Sequence, residues 1–515
     1  MASERDLTVS AESSATSAPA DASRRSFLTA GASAAILAGF ATRTHAQTQA
    51  SLAGPPPGPW SWTSEQELRF LVARVTNGWN PATYARAVQL GYDAFLEEQL
   101  DHTALADPEV TAMLPAYPSL SLSSKQIYDQ YVVPNDTNTA INQLKTATIV
   151  RAIYSKRQLF ERMVEFWGDH FSVDHNDGQV QWLKTVEDRD VIRANAFGTF
   201  TNLLIADAKS AAMLYYLDNY RNFSTAPNEN YSREVMELHT LDVGHYSEMD
   251  VAELARCLTG WQYRGTSLAN HGEFFFNAAQ HDNGQKVVRG VVIQPGGLAE
   301  GELVLTQLAH DIATARFLAR KLCNWFLSYN TPQVVIDSVA GVFRASGGDI
   351  KSVLRKIFAR ETLHMMSPAS TVKIKRPFHL VASTVRSILP EVSAPVRFIT
   401  ELATMGHTTF GWSSPNGYPD TAQAWGTVLL DRWNFMSRFF SNSIVGVNVN
   451  AAKLFGPVTK GSLASHANRL LTGGFMAPED VAAVQAYADG QPTLNDTLRR
   501  EVLALAASTP SFQTY

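Results

Sequence analysis

Apolar residues recur at helical spacing along most of the chain. Ser64 precedes Glu65, Glu67 and the apolar positions Leu68, Leu71 and Val72, which fits one buried stripe of an amphipathic helix. Pro81 opens a second helix through Tyr84, Ala87, Val88 and Leu90, since proline suits a first helical turn. Residues 138–167 carry Ile141, Leu144, Ile149, Ile153, Leu159 and Met163, and predict one or two long helices. Tyr231 to Leu241 and Glu248 to Leu258 predict two more. The second has a capping box, Ser247 with Asp250, and a stop at Gly260. Helices are also predicted over His310–Leu327, Ile350–Thr362, Phe378–Ile388 and Trp425–Phe440, and after Pro478 and Leu494.

The pattern breaks twice. Residues 262–302 are rich in Gly, Asn and aromatics, with short β-like runs at Phe274–Phe276 and Val287–Val292, so a small hairpin or elaborated loop is predicted there. Residues 406–424 carry Trp412, Pro415, Asn416, Gly417, Tyr418 and Pro419, a second loop-rich stretch. The predicted architecture is mainly α: one large helical domain over residues 64–515 with two loop-rich, short-β inserts. Function is expected on the inserts, because loops held by a rigid body carry most binding and catalytic groups.

The first 63 residues read differently. Arg24-Arg25 sits in Ser23-Arg24-Arg25-Ser26-Phe27-Leu28, followed by a mild apolar run from Ala30 to Phe40 and the small-residue pattern Thr44-His45-Ala46. Order and composition are those of a twin-arginine export signal over residues 1–46. The apolar run falls short of the roughly 20 residues needed to span a bilayer, so no permanent membrane anchor is expected. Residues 47–63, with Gly54-Pro55-Pro56-Pro57-Gly58-Pro59, read as a Pro/Gly linker. The expected partner for export is the twin-arginine translocase, and the expected location periplasmic or secreted. A net charge of −5 in 515 residues gives no electrostatic case for nucleic acid. Two cysteines, Cys257 and Cys323, lie in apolar helical stretches and read as buried thiols. They exclude an all-thiolate metal site.

One signature covers Asn228-Glu229-Asn230-Tyr231-Ser232-Arg233-Glu234-Val235-Met236-Glu237-Leu238-His239-Thr240-Leu241 and runs on through Ala255-Arg256-Cys257-Leu258-Thr259-Gly260-Trp261. Further blocks are Phe166-Trp167-Gly168-Asp169-His170-Phe171, His281-Asp282-Asn283-Gly284, Lys375-Arg376-Pro377, Pro415-Asn416-Gly417-Tyr418-Pro419 and Leu430-Asp431-Arg432-Trp433. In these blocks, and in their order over nearly the whole chain after the leader, the sequence resembles the bacterial domain of unknown function 1800 family. The resemblance implies an exported, mainly helical protein and carries no reaction with it. At Asp242-Val243-Gly244-His245 the chain departs from the glycine-richer turn usual in that family.

Three groups of residues are candidates for chemistry. Six of the 13 histidines fall between residues 170 and 281, accompanied by acids. Imidazoles and carboxylates without thiolates suit a divalent metal, with His170, His239, His281 and Asp282 as candidate ligands, although no His-Glu-x-x-His or Glu-x-x-His spacing is present. Glu234 and Glu237 lie three residues apart, on one helical stripe with Asn230. A partly buried Glu234 would have a raised pKa and suit general-acid work, with Asp169 and His170 as further catalytic candidates. The structural alternative for each acid is a salt bridge to a neighbouring arginine. Loop aromatics and amides supply candidate substrate-binding groups: Asn230, Arg233, Trp261, Trp412, Asn416 and Tyr418. Each aromatic is also an ordinary anchor for its loop. Three readings follow. The first is an extracytoplasmic hydrolase acting on a glycan or glycoconjugate by carboxylate acid/base chemistry. The second is a metal-dependent enzyme, such as an oxidoreductase. The third is a non-catalytic binding or assembly protein.

Overall fold

The computed structural model describes residues 60–515. The twin-arginine segment and most of the linker lie outside the described residues. The described chain is mainly α, with three two-stranded antiparallel sheets.

Helices begin where the sequence supplies caps. Thr63 and Gln66 form a capping box at Ser64–Val75, and Asn80 caps Pro81–Leu90 through the Thr83 amide. The predicted Ser247/Asp250 box opens Glu248–Cys257. Residues 138–167 resolve into Thr139–Tyr154 and Gln158–His170. The first insert holds two hairpins, Trp261–Tyr263 with Phe274–Phe276 and Lys286–Val288 with Val291–Ile293. The apolar run Val287–Val292 is therefore two strands joined at Arg289-Gly290, both at positive φ, as a tight hairpin turn requires.

Four predicted helices differ from the reading of the sequence, one of them Trp425–Phe440, which divides into the end of Ala422–Gly426 and Leu429–Phe440. His310–Leu327 is cut at Asp311, whose carboxylate accepts from the Ala313 amide and starts Ile312–Phe326 as a new helix after Leu298–His310. Ile350–Thr362 divides into Ile350–Ile357 and Arg360–His364. Tyr231–Leu241 is a short α-helix, Asn230–Glu234, that passes into a π-turn over Val235–Thr240. There the Leu241 amide donates to the Met236 carbonyl at 2.8 Å, one residue further back than in an α-helix. The α-helical stripe drawn through Asn230, Glu234 and Glu237 does not hold across that turn, because the wider winding shifts every later residue around the axis.

Buried apolar side chains gather into two large clusters. One runs from Phe70 to Met366. The other joins Ile149, Ala152 and Ile153 to residues between Phe378 and Phe512. A small third cluster, Ile374, Tyr418 and Trp425 with Trp412 against it, comes from the second insert and the chain just before Pro377. Cys257 and Cys323 are both free and buried. Among the described residues no helix is long and apolar enough to cross a membrane.

The core also holds an unusual acid. Asp207 is fully buried, and neither carboxylate oxygen has a hydrogen-bond partner among the described residues. Burial holds its pKa well above the ordinary value, Glu187 adds to the rise and Lys184 opposes it. A carboxyl whose pKa is raised by folding contributes stability that is complete below its unfolded value, near 3.9, and is lost as pH rises towards the folded value. Asp207→Asn is therefore expected to flatten the fall in stability as pH rises above the unfolded value. At pH 8 the variant should be the more stable of the two. Denaturant unfolding at several pH values measures this, and an unchanged pH slope contradicts it.

Candidate active site

The second insert folds against the end of the Gln158–His170 helix. Gly417 sits at φ 72°, and a Cβ there would lie 2.1 Å from the Asp169 carbonyl oxygen. Only glycine allows the Asn416-Gly417 turn to approach the helix so closely. The turn brings Trp412, Asn416 and Tyr418 to a cavity of about 280 Å³ that Asp169, His170 and Lys321 also line. A smaller space of about 50 Å³ shares Asp169, Trp412 and Tyr418, and adds Glu161 and Glu165. Its apolar lining comes from both large clusters, with Val164 from one and Ala152 and Phe378 from the other. The site lies along the seam where the two cores meet, a common place for ligand cavities.

One face of the Gln158–His170 helix carries Glu161, Glu165 and Asp169 at intervals of four residues, so their side chains stand above one another. Each has a different partner. Arg193 holds Glu161 through two contacts of 2.6 and 3.0 Å. Arg162 reaches one oxygen of Glu165 at 3.1 Å, while the other oxygen is buried without a partner. Arg376 pairs with Asp169 at 2.6 Å. Burial raises the pKa of both Glu165 and Asp169, and the nearby arginines lower it only in part. Arg376 is itself buried, among the rings of Trp325, Tyr418 and Trp425 at 5.0, 5.7 and 5.5 Å.

His170 is engaged at both ring nitrogens. Its Nε2 lies 3.1 Å from the His239 carbonyl, and its Nδ1 lies 2.9 Å from the Lys321 ammonium. An ammonium can only donate, so Nδ1 is the acceptor and Nε2 carries the proton. Burial holds the His170 pKa well below its ordinary value, reinforced by Lys321. A neutral imidazole thus positions Lys321, whose own pKa burial lowers to about 8 against the pull of Asp169. Asp420, which also lines this cavity, pairs with Lys373 at 2.7 Å. On the aromatic wall Trp412 donates to Asn416 Oδ1 at 2.9 Å, and its ring lies 4.8 Å from that of Tyr418.

The other sequence candidates lie elsewhere. Glu237 accepts from the Tyr246 hydroxyl at 2.5 Å. Glu234 is half-buried, its pKa raised first by burial and then by Glu237, and it does not line the Asp169 cavity. Arg233 is committed to Glu248 and Glu229 at 2.7 and 3.3 Å. Asn230 is exposed. Trp261 is fully buried against Gly301, where a Cβ would lie 2.5 Å from its ring, so its face is closed to a substrate. His281 bonds Thr259 and Glu300, and Asp282 pairs with Arg256 at 2.7 Å. These last two pin the hairpin insert to the helical body. His239 is fully buried beside His170, ring centroids 5.7 Å apart, and burial lowers its pKa to about 3. Among the described residues no group of three or more His, Cys, Asp or Glu is placed to hold a metal ion.

Sequence reasoning missed Glu165, Lys321, Lys373 and Arg376 as parts of one site. The first had a visible signal, its four-residue spacing from Asp169. The lysines and Arg376 are separated from Asp169 by 152 to 207 residues, and no local pattern joins them to it.

Fold and cavity together define a mainly helical protein with a buried acid–base crevice. Residues 70–514 match the family described as protein of unknown function (DUF1800), and the chain belongs to that family. No curated protein and no solved structure matches it.

Proposed function

We propose that the protein is an extracytoplasmic hydrolase acting on a glycan or glycoconjugate, with Glu165 and Asp169 as its catalytic carboxylates. The observation that carries this reading is their placement. They stand one helical turn apart on one face, both with pKa raised by burial, and they open on a cavity walled by Trp412 and Tyr418. Side chains so spaced have Cβ atoms about 5–6 Å apart and can act together, and glycoside hydrolysis uses a pair of carboxyl groups flanking the scissile bond. Glu165, with one oxygen unpartnered, is the acid that protonates the leaving oxygen. Asp169, paired with Arg376, is the carboxylate that attacks the sugar carbon or activates water. Trp412 and Tyr418 offer ring faces to a sugar, and Asn416 and Lys321 offer hydrogen-bond donors. His170 acts as a positioning residue for Lys321.

The test is release of reducing ends from bacterial cell-wall glycan and from neutral polysaccharides by the purified chain. Glu165→Gln and Asp169→Asn should each lower the rate by about 10²–10⁴-fold while the fold is retained. Folded variants with undiminished release would remove this reading. The location rests on the twin-arginine pattern. Replacing Arg24 and Arg25 together with lysine is expected to keep the protein in the cytoplasm, as cell fractionation would reveal. Unchanged export would refute that assignment.

A further inference from the structure

A separate cavity of about 360 Å³ shares no lining residue with the acid–base crevice. It lies between the Ser64–Val75 helix, the Leu463–Thr472 helix and the segment Ser511–Tyr515. Aromatic rings form much of its wall. Trp79, Tyr84 and Phe475 stand with centroids 4.9 to 6.0 Å apart. Two cations line it, Lys375 and Arg69, and no Asp or Glu side chain does.

Lys375 is the informative residue. It is only 5% exposed. Its ammonium lies 3.8 Å from the centroid of the Phe512 ring, and among the described residues it has no hydrogen-bond or ion-pair partner. Burial lowers its pKa to about 7, and Arg432 pushes in the same direction. Arg69 lies over the Phe475 ring at 3.2 Å, and its charged neighbour is the exposed Glu65, one turn back on the same helix. Further positive charge stands close by. Arg74 and Arg162 both face the Tyr515 ring, at 4.2 and 6.0 Å. The Arg74 guanidinium keeps Nε and Nη1 unpartnered.

Burying an ammonium without a counter-charge is costly. The cost is relieved when an anion enters, and the aromatic wall selects what that anion is attached to. We propose that this cavity binds a small organic anion, an aromatic or apolar body bearing one carboxylate. The body lies against Trp79, Tyr84 and Phe475, and the carboxylate sits between Lys375 and Arg69. The site is independent of the hydrolytic reading.

Calorimetric titration of the purified chain with 1-naphthylacetate, and with its neutral amide 1-naphthylacetamide, tests the proposal. The acid is expected to bind saturably, and the amide at least tenfold more weakly. Lys375→Met should weaken the acid at least tenfold and Arg69→Gln severalfold, with little effect on the amide. Equal binding of acid and amide, absence of saturable binding by the acid, or folded variants with parental affinity would each overturn it. Circular dichroism checks the fold of each variant. Arg69→Gln, at a partly exposed position, decides the matter alone if Lys375→Met does not fold.

Discussion

Arg376→Met is expected to destabilise the protein by about 3–5 kcal/mol, the range found when one partner of a buried ion pair is removed. Arg376 is buried and its guanidinium faces Asp169 at 2.6 Å. Methionine fills similar volume but leaves Asp169 and Glu165 without the charge that offsets their burial. Adding Asp169→Asn to the same chain removes the stranded charge and should recover much of the loss. Denaturant unfolding of the parent, both single variants and the double variant gives the coupling between the two residues. A coupling near zero would mean that Arg376 serves only to pack among Trp325, Tyr418 and Trp425. The cycle also bears on chemistry, because Arg376 lowers the Asp169 pKa against the effect of burial, so its loss should shift the pH profile of any hydrolysis.

Gly417→Ala is the second large effect. The position has φ 72°, and an added Cβ would meet the Asp169 carbonyl oxygen at 2.1 Å and its carbonyl carbon at 2.9 Å. Left-handed backbone costs an L-residue about 1–2 kcal/mol, and overpacking adds about 1–3 kcal/mol more. The obstructing atoms belong to a helix backbone and cannot rotate away. The turn must lift from the helix, carrying Asn416 and Tyr418 away from Asp169 and opening the crevice to water. Loss of stability by about 2–5 kcal/mol, together with loss of glycan release, is the expected result. Gly406→Ala is a control at the edge of the same insert, where φ is 76° but nothing lies within 4 Å of the added Cβ. It should show only the smaller backbone cost. Equal effects at the two positions would mean that the approach to Asp169 carries no special weight.

Helical periodicity, caps and turn residues made much of the local structure legible. The helices after Thr63, Asn80 and Ser247 begin at residues whose side chains bond the next free amides, and that chemistry is local. The break at Asp311 has a local cause, its capping carboxylate, but apolar residues on both sides mask it, and the break near Ala359 has no side-chain cap to mark it. The π-turn at Val235–Thr240 was not visible at all. Its extra residue per turn is held by packing against distant elements, including the Ile312–Phe326 helix.

The candidate site divides in the same way. Asp169, His170, Trp412, Asn416 and Tyr418 stand out in the sequence by residue type, and they do line one cavity. Glu234 and Glu237 stood out equally, yet Glu237 is satisfied by Tyr246 and neither lines that cavity. Residue type alone does not separate the two sets, since an acid flanked by apolar positions reads the same in a core, at a surface pair or at a crevice.

By itself the sequence determined the helical class, the family, the two inserts and the thiols' place in apolar helices, because these depend on spacing and composition over short stretches. Only the tertiary structure decided which carboxylates share a cavity, which arginine faces each of them, and that Lys375 stands buried without a counter-charge. Those facts depend on burial and on pairings across hundreds of residues. Burial sets the pKa of Glu165, Asp169, Asp207 and Lys375, and it exists only once distant parts of the chain have packed together.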